Sequence, residues 1–503
     1  MRKTVAAAAV MAALALLTLR AQDAKATLDA ANAAMGTVNT VEYSATGTMA
    51  AFGQAYAPGG PWPTFKVTKY DVTLDLNGDA MRVEIERTNP AAPVRGGGGL
   101  PLFGAGNPQK QLQFLNNRTA WNVNLAAAPG ADPNQPQQAG LQQRLLDFWT
   151  GPHAVLLAAD ANKATASGRT LSFKMFNTPV TVTLGPDNTV TKVEYQTDNP
   201  VLGDTTTETT YTLYKTIGRA KFPMHITTKQ GGLTILDLTL SDVKINTIIN
   251  AMAIPASVAQ SFAANPPPRA GQAAPAPVVT TTKVADGVYY LTGGTHHSMA
   301  VEFADFSVLF EVPNNEDRAL AVIDATKKAI PNKPIRYVVN SHHHFDHLGG
   351  IRAAMSQGLT ILTQAANKPY YEKIATMPHT IAPDALSKAA KPPVIEAVLE
   401  KKVITDNTRT LEIYHVPSMH ASTMLVGYLP KEKILYEVDV FNAPAANAPA
   451  PTAANVNPAT AEFYKALATL KLTPEQILPG HGPGATTMAQ LKAFAGNSST
   501  STN

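Results

Sequence analysis

Asn340-Ser341-His342-His343-His344-Phe345-Asp346-His347-Leu348-Gly349-Gly350 is the stretch on which the reading of this chain turns. Four of the twelve histidines fall within six residues, beside an aspartate. The apolar run Ile335-Arg336-Tyr337-Val338-Val339 leads in, and two glycines follow. This pattern predicts a buried strand that ends in a tight loop, rather than a histidine tract on the surface. Such a loop brings His342, His344, Asp346 and His347 to one place. Imidazole and carboxylate donors that converge at a strand end suit a borderline divalent metal, zinc before others.

Around that stretch lie 503 residues, enough for two or three domains with large cores. The hydrophobic content of 45% is ordinary for a globular protein. Arg2, Lys3 and an apolar run from Val5 to Leu17, with the small Ala21 after it, read as a signal peptide over 1–21. The run is too short for a comfortable membrane span, so no transmembrane span is expected in the mature chain, and the expected location is periplasmic or secreted. Setting aside Arg2, Lys3 and Arg20 leaves 38 of the 41 basic side chains against 37 acidic ones, a balance that points away from nucleic acid. The absence of cysteine excludes disulfides, thiolate ligands and a cysteine nucleophile.

Residues 22–264 read as an antiparallel β-rich domain. After a short helix over Ala26–Met35, strand-like segments rich in β-branched and aromatic residues alternate with turns such as Asn77-Gly78-Asp79 and Gly185-Pro186-Asp187-Asn188. Gln138–Asp160 is the one internal helix expected, with Leu141, Leu145, Leu146 and Phe148 on one face and Gly151-Pro152 interrupting it. A curved sheet or half-barrel closed by one or two helices follows. Its pattern resembles, without a shared motif, the outer-membrane lipoprotein carrier type, which implies a surface for an apolar ligand or a docking partner. Two loops are unusual: Tyr56–Pro63, rich in proline and glycine, and Pro90–Gln109, where Arg95 precedes four glycines. The latter is no phosphate loop, because no Lys-Ser/Thr follows and no βα context surrounds it. His153 and His225 are isolated and read as structural or surface residues. A Pro/Ala-rich linker spans 265–278.

From 279 strands and helices alternate. The pattern predicts strands at Val284–Thr292, Met299–Phe303, Ser307–Glu311, Ile335–Val339, Thr360–Thr363, Leu411–His415, Met424–Leu429, Lys433–Asp439 and Gln476–Leu478. It predicts helices at Glu316–Ala329, Ile351–Gln357, Ala459–Leu470 and Met488–Phe494, with a polar tail over 496–503.

Here a resemblance becomes specific. His342-x-His344-x-Asp346-His347, then Ser418-Met419-His420, then Val438-Asp439-Val440-Phe441 after a hairpin, then Leu478-Pro479-Gly480-His481-Gly482 resemble, in order, the ligand motifs of the metallo-β-lactamase fold superfamily. The resemblance covers about 279–495. It implies an α+β chain whose C-terminal domain is an αββα sandwich with a binuclear metal site. By that resemblance His342, His344 and His420 hold one metal, Asp346, His347 and His481 the other, and Asp439 bridges them. Two divalent ions are implied, Zn2+ first, with Fe or Mn as alternatives. The implied enzyme is a metal-dependent hydrolase acting on a small-molecule substrate. A metal-bridging hydroxide would cleave an ester, lactone, thioester or amide, with Asp346 as the catalytic carboxylate. Five histidines and two aspartates resemble the glyoxalase II, lactonase and arylsulfatase-like branches more than the zinc β-lactamases. Two alternatives belong beside this one: an iron-dependent sulfur dioxygenase on the same fold, and a lipid- or partner-binding protein with an auxiliary metal domain.

The remaining histidines divide by position. Strand alternation turns His343 away from the metals. His296 and His297, in Gly293-Gly294-Thr295-His296-His297-Ser298, are candidate substrate contacts. His415 reads as structural, and His379 lies in a region, Tyr370–Val398, expected to cover the pocket. Tyr370 and Tyr371 read as packing residues. Glu311-Val312-Pro313 departs from the Asp-Thr/Ala-Gly turn common in the family. The Ala/Pro/Asn-rich insertion Asn442–Pro458 emerges beside the bridging aspartate.

Overall fold

A computed structural model describes residues 24–89, 95–96, 108–267, 276–389, 392–442, 448–452 and 456–496. The signal-peptide reading, the core of the linker, most of the Gly-rich run after Arg95, parts of the 442–458 insertion and most of the tail lie outside the described residues.

Most strands of the β-rich first half join in one thirteen-stranded sheet, and Lys215–Ile217 pairs with Ala220–Phe222 in a separate two-stranded one. The first strand of the large sheet, Thr40–Ala50, pairs antiparallel with its last, Leu233–Ile245, at the centre; from the first the chain runs outward to one edge, crosses to the other edge and returns inward to the last. Turn chemistry sets the rhythm. At Asn77-Gly78 the Asp75 carboxylate accepts the backbone N–H of both residues, at 3.1 and 2.9 Å. One face of the sheet is covered by three helices: residues 24–35, Leu141–Trp149 and Ala154–Ala161. They bury Leu28, Met35, Leu145, Phe148 and Val155 against Val41, Val83, Leu115 and Val182. The face expected to receive an apolar ligand is therefore filled by the chain itself. The single helix expected over Gln138–Asp160 is two, because Pro152 has no N–H to continue the first and the chain turns at Thr150-Gly151.

His153 sits in this core, stacked on Phe222 at 5.6 Å, with Nε2 3.4 Å from the Met35 carbonyl. Burial lowers its pKa to about 4. An unfolded chain takes up the proton near pH 6.5, while the folded one refuses it until about 4. Full stability is thus present above about pH 6.5 and is lost as pH falls through that window, by about 1.4 kcal/mol per unit. Urea unfolding of His153→Phe at pH 7 and pH 4.5 should show a smaller loss than the wild type shows; equal losses would place the ring in water.

The second half holds a seven-stranded and a six-stranded sheet. A shared core joins them, with Met299, Val308 and Phe310 of one against Ile413, Val426 and Tyr436 of the other. The opposite face of the seven-stranded sheet packs on Glu316–Ala329. That helix forms where its sequence predicts. The Asn315 side chain accepts the Arg318 N–H at 3.0 Å, acids occupy the first turn and lysines the last. Ala319, Val322, Ile323 and Thr326 line its buried face at helical spacing.

Tyr370–Val398, expected to cover the pocket, is tied to neighbouring strands and to the first half. It begins in the helix Lys368–Ala375 and ends in Val394–Val398, an edge strand parallel to Thr360–Gln364. Between them the chain binds the first half: Asp204 accepts N–H bonds from Thr380 and Ile381, and His379 Nδ1 lies 2.7 Å from Asp198. Backbone pairing decided this region, and a five-residue strand beside a proline pair gives little periodicity to read.

Candidate metal centre

Every side chain of the site leaves the C-terminal end of a strand. Ile335–Val339, parallel to both neighbours, opens into the histidine loop. Thr410–His415 precedes His420, Ile434–Glu437 precedes Asp439, Gln476–Pro479 precedes His481, and Val288–Thr292 precedes His296. Backbone bonds tie these loops together: Leu425 N to Ser341 O at 2.8 Å, Gly480 N to Glu437 O at 2.7 Å, and His297 N to Gly480 O at 2.8 Å. Gly349 and Gly350 are needed for close approach rather than for turning. A Cβ on them would meet the carbonyls of Asn314 and Val312 at 2.0 and 2.1 Å, and Gly349 has an ordinary helical φ of −62°.

Two groups of metal-binding character result. His342, His344, His420 and Asp439 form one, and His296, Asp346, His347 and His481 the other. Asp439 joins them. Its Oδ2 lies 3.3 Å from His342 Nε2, 3.1 Å from His420 Nε2 and 2.9 Å from His347 Nε2, and its Oδ1 lies 2.8 Å from His481 Nε2. The donor set fits a divalent cation on two counts. His342 and His420 bring their Nε2 atoms within 3.2 Å of each other, and so do His347 and His481, an approach that a shared cation would stabilise. The buried Nδ1 of His344 has no hydrogen-bond partner at all.

Electrostatics agree. Burial lowers the His342 pKa to about 3 and that of His344 well below its usual value, so both offer lone pairs at neutral pH. His347 is the exception. Burial opposes its charge, but Asp439 and Asp346 outweigh that and raise its pKa well above the usual value. For Asp439, burial works upward, and His347 and His420 hold the carboxyl well below its normal range. The cluster of carboxylates thus calls for positive charge at its centre.

The backbone is bent to deliver these groups. Asp439 sits at φ +62°, at the apex of a three-residue turn closed by Val440 N to Val438 O at 2.7 Å. Glu311 also adopts a left-handed φ, +67°. Its buried carboxylate accepts the Ser341 N–H at 2.6 Å on Oε1 and faces His347 Nδ1 at 3.1 Å on Oε2. The departure at Glu311-Val312-Pro313 therefore supplies direct support to a candidate ligand. Its hydrophobic strand context hid that role in the sequence.

Of the two candidate substrate contacts, only His296 joins the cluster, with Nε2 3.2 Å from Asp346 Oδ2. His297 turns the other way. Its Nδ1 meets the Tyr290 hydroxyl at 2.6 Å, and that hydroxyl donates to Pro479 O at 2.6 Å, so His297 fastens the His481 loop. His343 is buried outside both groups, between Thr423 Oγ1 and the Ala55 carbonyl, each at 2.8 Å. Tyr371 does more than pack: its hydroxyl binds Asn340 Oδ1 and, at 3.1 Å, the His342 carbonyl. His415 Nε2 bonds Ser422 O at 3.0 Å, in the loop that carries His420.

Comparison with known proteins places these residues in context. Residues 291–441 match the family model of the metallo-beta-lactamase superfamily. A curated relative, the linear primary-alkylsulfatase of a Pseudomonas species, is 27% identical over 109 residues, which are 22% of this chain and 16% of that protein's length. Among solved structures, a metallo-beta-lactamase from Pontibacter korlensis is 19% identical with a TM-score of 0.34, covering 43% of this chain and 97% of its own. The metallo-beta-lactamase FIM-1 from Pseudomonas aeruginosa, in a mono-zinc form, is 22% identical with a TM-score of 0.34, covering 44% and 95%. With the motifs in order and the family model spanning His342, His420 and Asp439, the C-terminal part of this chain belongs to the metallo-β-lactamase superfamily.

Proposed function

We propose that this protein is an exported, metal-dependent hydrolase of small molecules, with two adjacent metal positions in its C-terminal αββα domain. The domains are read as 22–264 and 279–495. The observation that carries the proposal is Asp439, whose carboxylate meets histidines of both groups, Oδ2 facing His342, His420 and His347 and Oδ1 facing His481. His342, His344 and His420 would hold one ion, and Asp346, His347 and His481 the other, with His296 beside the second. Divalent ions held there supply Lewis acidity and bring the pKa of water near neutrality.

The chain's own groups do the rest. Asp346 accepts the Gln54 Nε2 hydrogen at 2.9 Å on Oδ1 and faces His296 on Oδ2, which fixes its orientation. Loss of water works to raise its pKa, but His347 and the His296 hydrogen bond hold it below the usual carboxylate range. A carboxylate so held stays ionised at neutral pH and would orient an attacking water or hydroxide by accepting its hydrogen bond, from where a proton could pass to the leaving atom. The scissile bond is read as an ester, lactone, thioester or amide, and similarity to an alkylsulfatase adds sulfate esters to that group. Export rests on Arg2, Lys3 and the apolar run from Val5 to Leu17. Among the described residues no helix is long and apolar enough to cross a membrane. The carrier reading loses ground because helices cover the core face of the large sheet.

Zinc-, manganese- and iron-loaded protein should be screened against lactones, thioesters, carboxylic and sulfate esters, amides and β-lactams. Oxygen uptake should be followed in parallel. Hydrolysis is expected, with turnover lost on chelation and recovered on metal addition. The chelated protein should also melt at a lower temperature, because a ligand of the folded state alone stabilises it. Full turnover in chelated protein would sink the proposal, and oxygen uptake only by the iron form would replace it with a dioxygenase.

A further inference from the structure

Residues 51–63, between the first two strands of the thirteen-stranded sheet, reach into the metal centre of the other half. The Ala55 carbonyl lies 2.9 Å from His344 Nε2 and 2.8 Å from His343 Nε2. A carbonyl oxygen only accepts, so both rings must carry their hydrogen on Nε2. For His343 the remaining Nδ1 accepts from the Thr423 hydroxyl. For His344 the remaining Nδ1 is buried, unpartnered, and the only nitrogen left for ligation. One residue earlier, Gln54 donates to Asp346 Oδ1, and its own Oε1 is buried without a partner.

The loop is docked at several points. Phe345 N donates to Gly53 O at 3.3 Å, and Ser422 N donates to Tyr56 O at 2.9 Å. Phe52 packs edge-on to Phe345 at 5.4 Å. Beside it, Gly96 N donates to Met419 O at 2.8 Å. The two ligand loops, 342–347 and 418–422, are thus both fastened by the first half of the chain.

We infer that loop 51–63 is a working part of the metal centre, with the Ala55 carbonyl selecting Nδ1 of His344 as its ligand atom and Gln54 positioning Asp346. The inference rests on the metal-centre reading above. Both are positioning groups: they touch candidate ligands and act through them. A hydrogen bond from a ligand's far nitrogen fixes its tautomer and raises its basicity, and loss of such partners costs about 10–100-fold in metal affinity.

Gly53 gives a way to move the carbonyl without replacing any ligand. It has φ +74°, and a Cβ there would meet Phe345 Cγ at 2.4 Å, so Gly53→Val must shift the loop. Co2+ is titrated into metal-free, full-length wild type, Gly53→Val, Gln54→Ala and, as a control, Leu213→Ala, which is exposed on the same half. Affinity is read by chelator competition and ligand geometry by visible absorption. Gly53→Val is expected to lose about 10–100-fold in affinity with an altered spectrum. Gln54→Ala should lose affinity about 10-fold, with the control unchanged. Should Gly53→Val not fold, as judged by circular dichroism, Gln54→Ala decides alone, since that half-buried side chain lies outside the cores. Wild-type affinity and spectrum in the folded variants would overturn the inference. A wild type that binds no Co2+ would overturn the metal-centre reading itself.

Discussion

An Asp439→Ala variant is expected to lose both metals and at least about a thousand-fold in turnover. Among the described residues, Asp439 is the only carboxylate that meets four of the histidines, with contacts of 2.8 to 3.3 Å. Without it, two divalent ions would stand side by side with only Asp346 and neutral rings to offset them. Metal assistance is worth several kcal/mol of transition-state stabilisation, and each 1.4 kcal/mol is about tenfold in rate. Alanine also strains the φ +62° turn, so Asp439→Asn is the cleaner companion, because asparagine tolerates that conformation. The asparagine variant keeps the turn and loses the charge. Metal content by mass spectrometry and turnover should fall in both, while a full metal load in either would show that Asp439 does not join the two groups.

The second large effect is expected at Glu311. Glu311→Ala leaves the Ser341 N–H and the His347 ring nitrogen unpaired in a site without water access, at about 1–3 kcal/mol each. Glu311→Gln is more informative. Its oxygen can still take the Ser341 N–H, but its NH2 then faces His347 Nδ1. That forces the ring's hydrogen onto Nε2, the atom that faces Asp439 and His481. The glutamine variant should therefore keep most of its thermal stability yet lose about 10–100-fold in zinc affinity by chelator competition. If it bound zinc like the wild type, the carboxylate would have no hold on His347.

Much of the second half was legible because its signals are local. The helix Glu316–Ala329 carries its end charges and its buried stripe within fourteen residues, with its cap, Asn315, directly before them. The strand Ile335–Val339 and the glycine pair announce the histidine loop in the same way. Less was legible where pairing between distant segments decided the outcome. Val394–Val398 becomes a strand only because Thr360–Gln364 offers it an edge. His297 and His296 are adjacent in sequence, yet a backbone bond to Gly480 turns one to Tyr290 while the other meets Asp346.

Sequence alone determined the family of ligand motifs, because their chemistry needs particular donors at fixed spacings along a loop. Strand and turn rhythm likewise announced the antiparallel character of the first half. Tertiary structure alone decided how the two halves meet. The carbonyl of Ala55 reaches a histidine 289 positions away, and Gln54 reaches an aspartate 292 positions away. A backbone oxygen carries no residue code, and a glutamine in a proline-rich loop looks like any other. Their roles arise only from docking the loop against Phe345, where close contact at Gly53 and the directionality of hydrogen bonds fix which nitrogen of His344 is left for a metal.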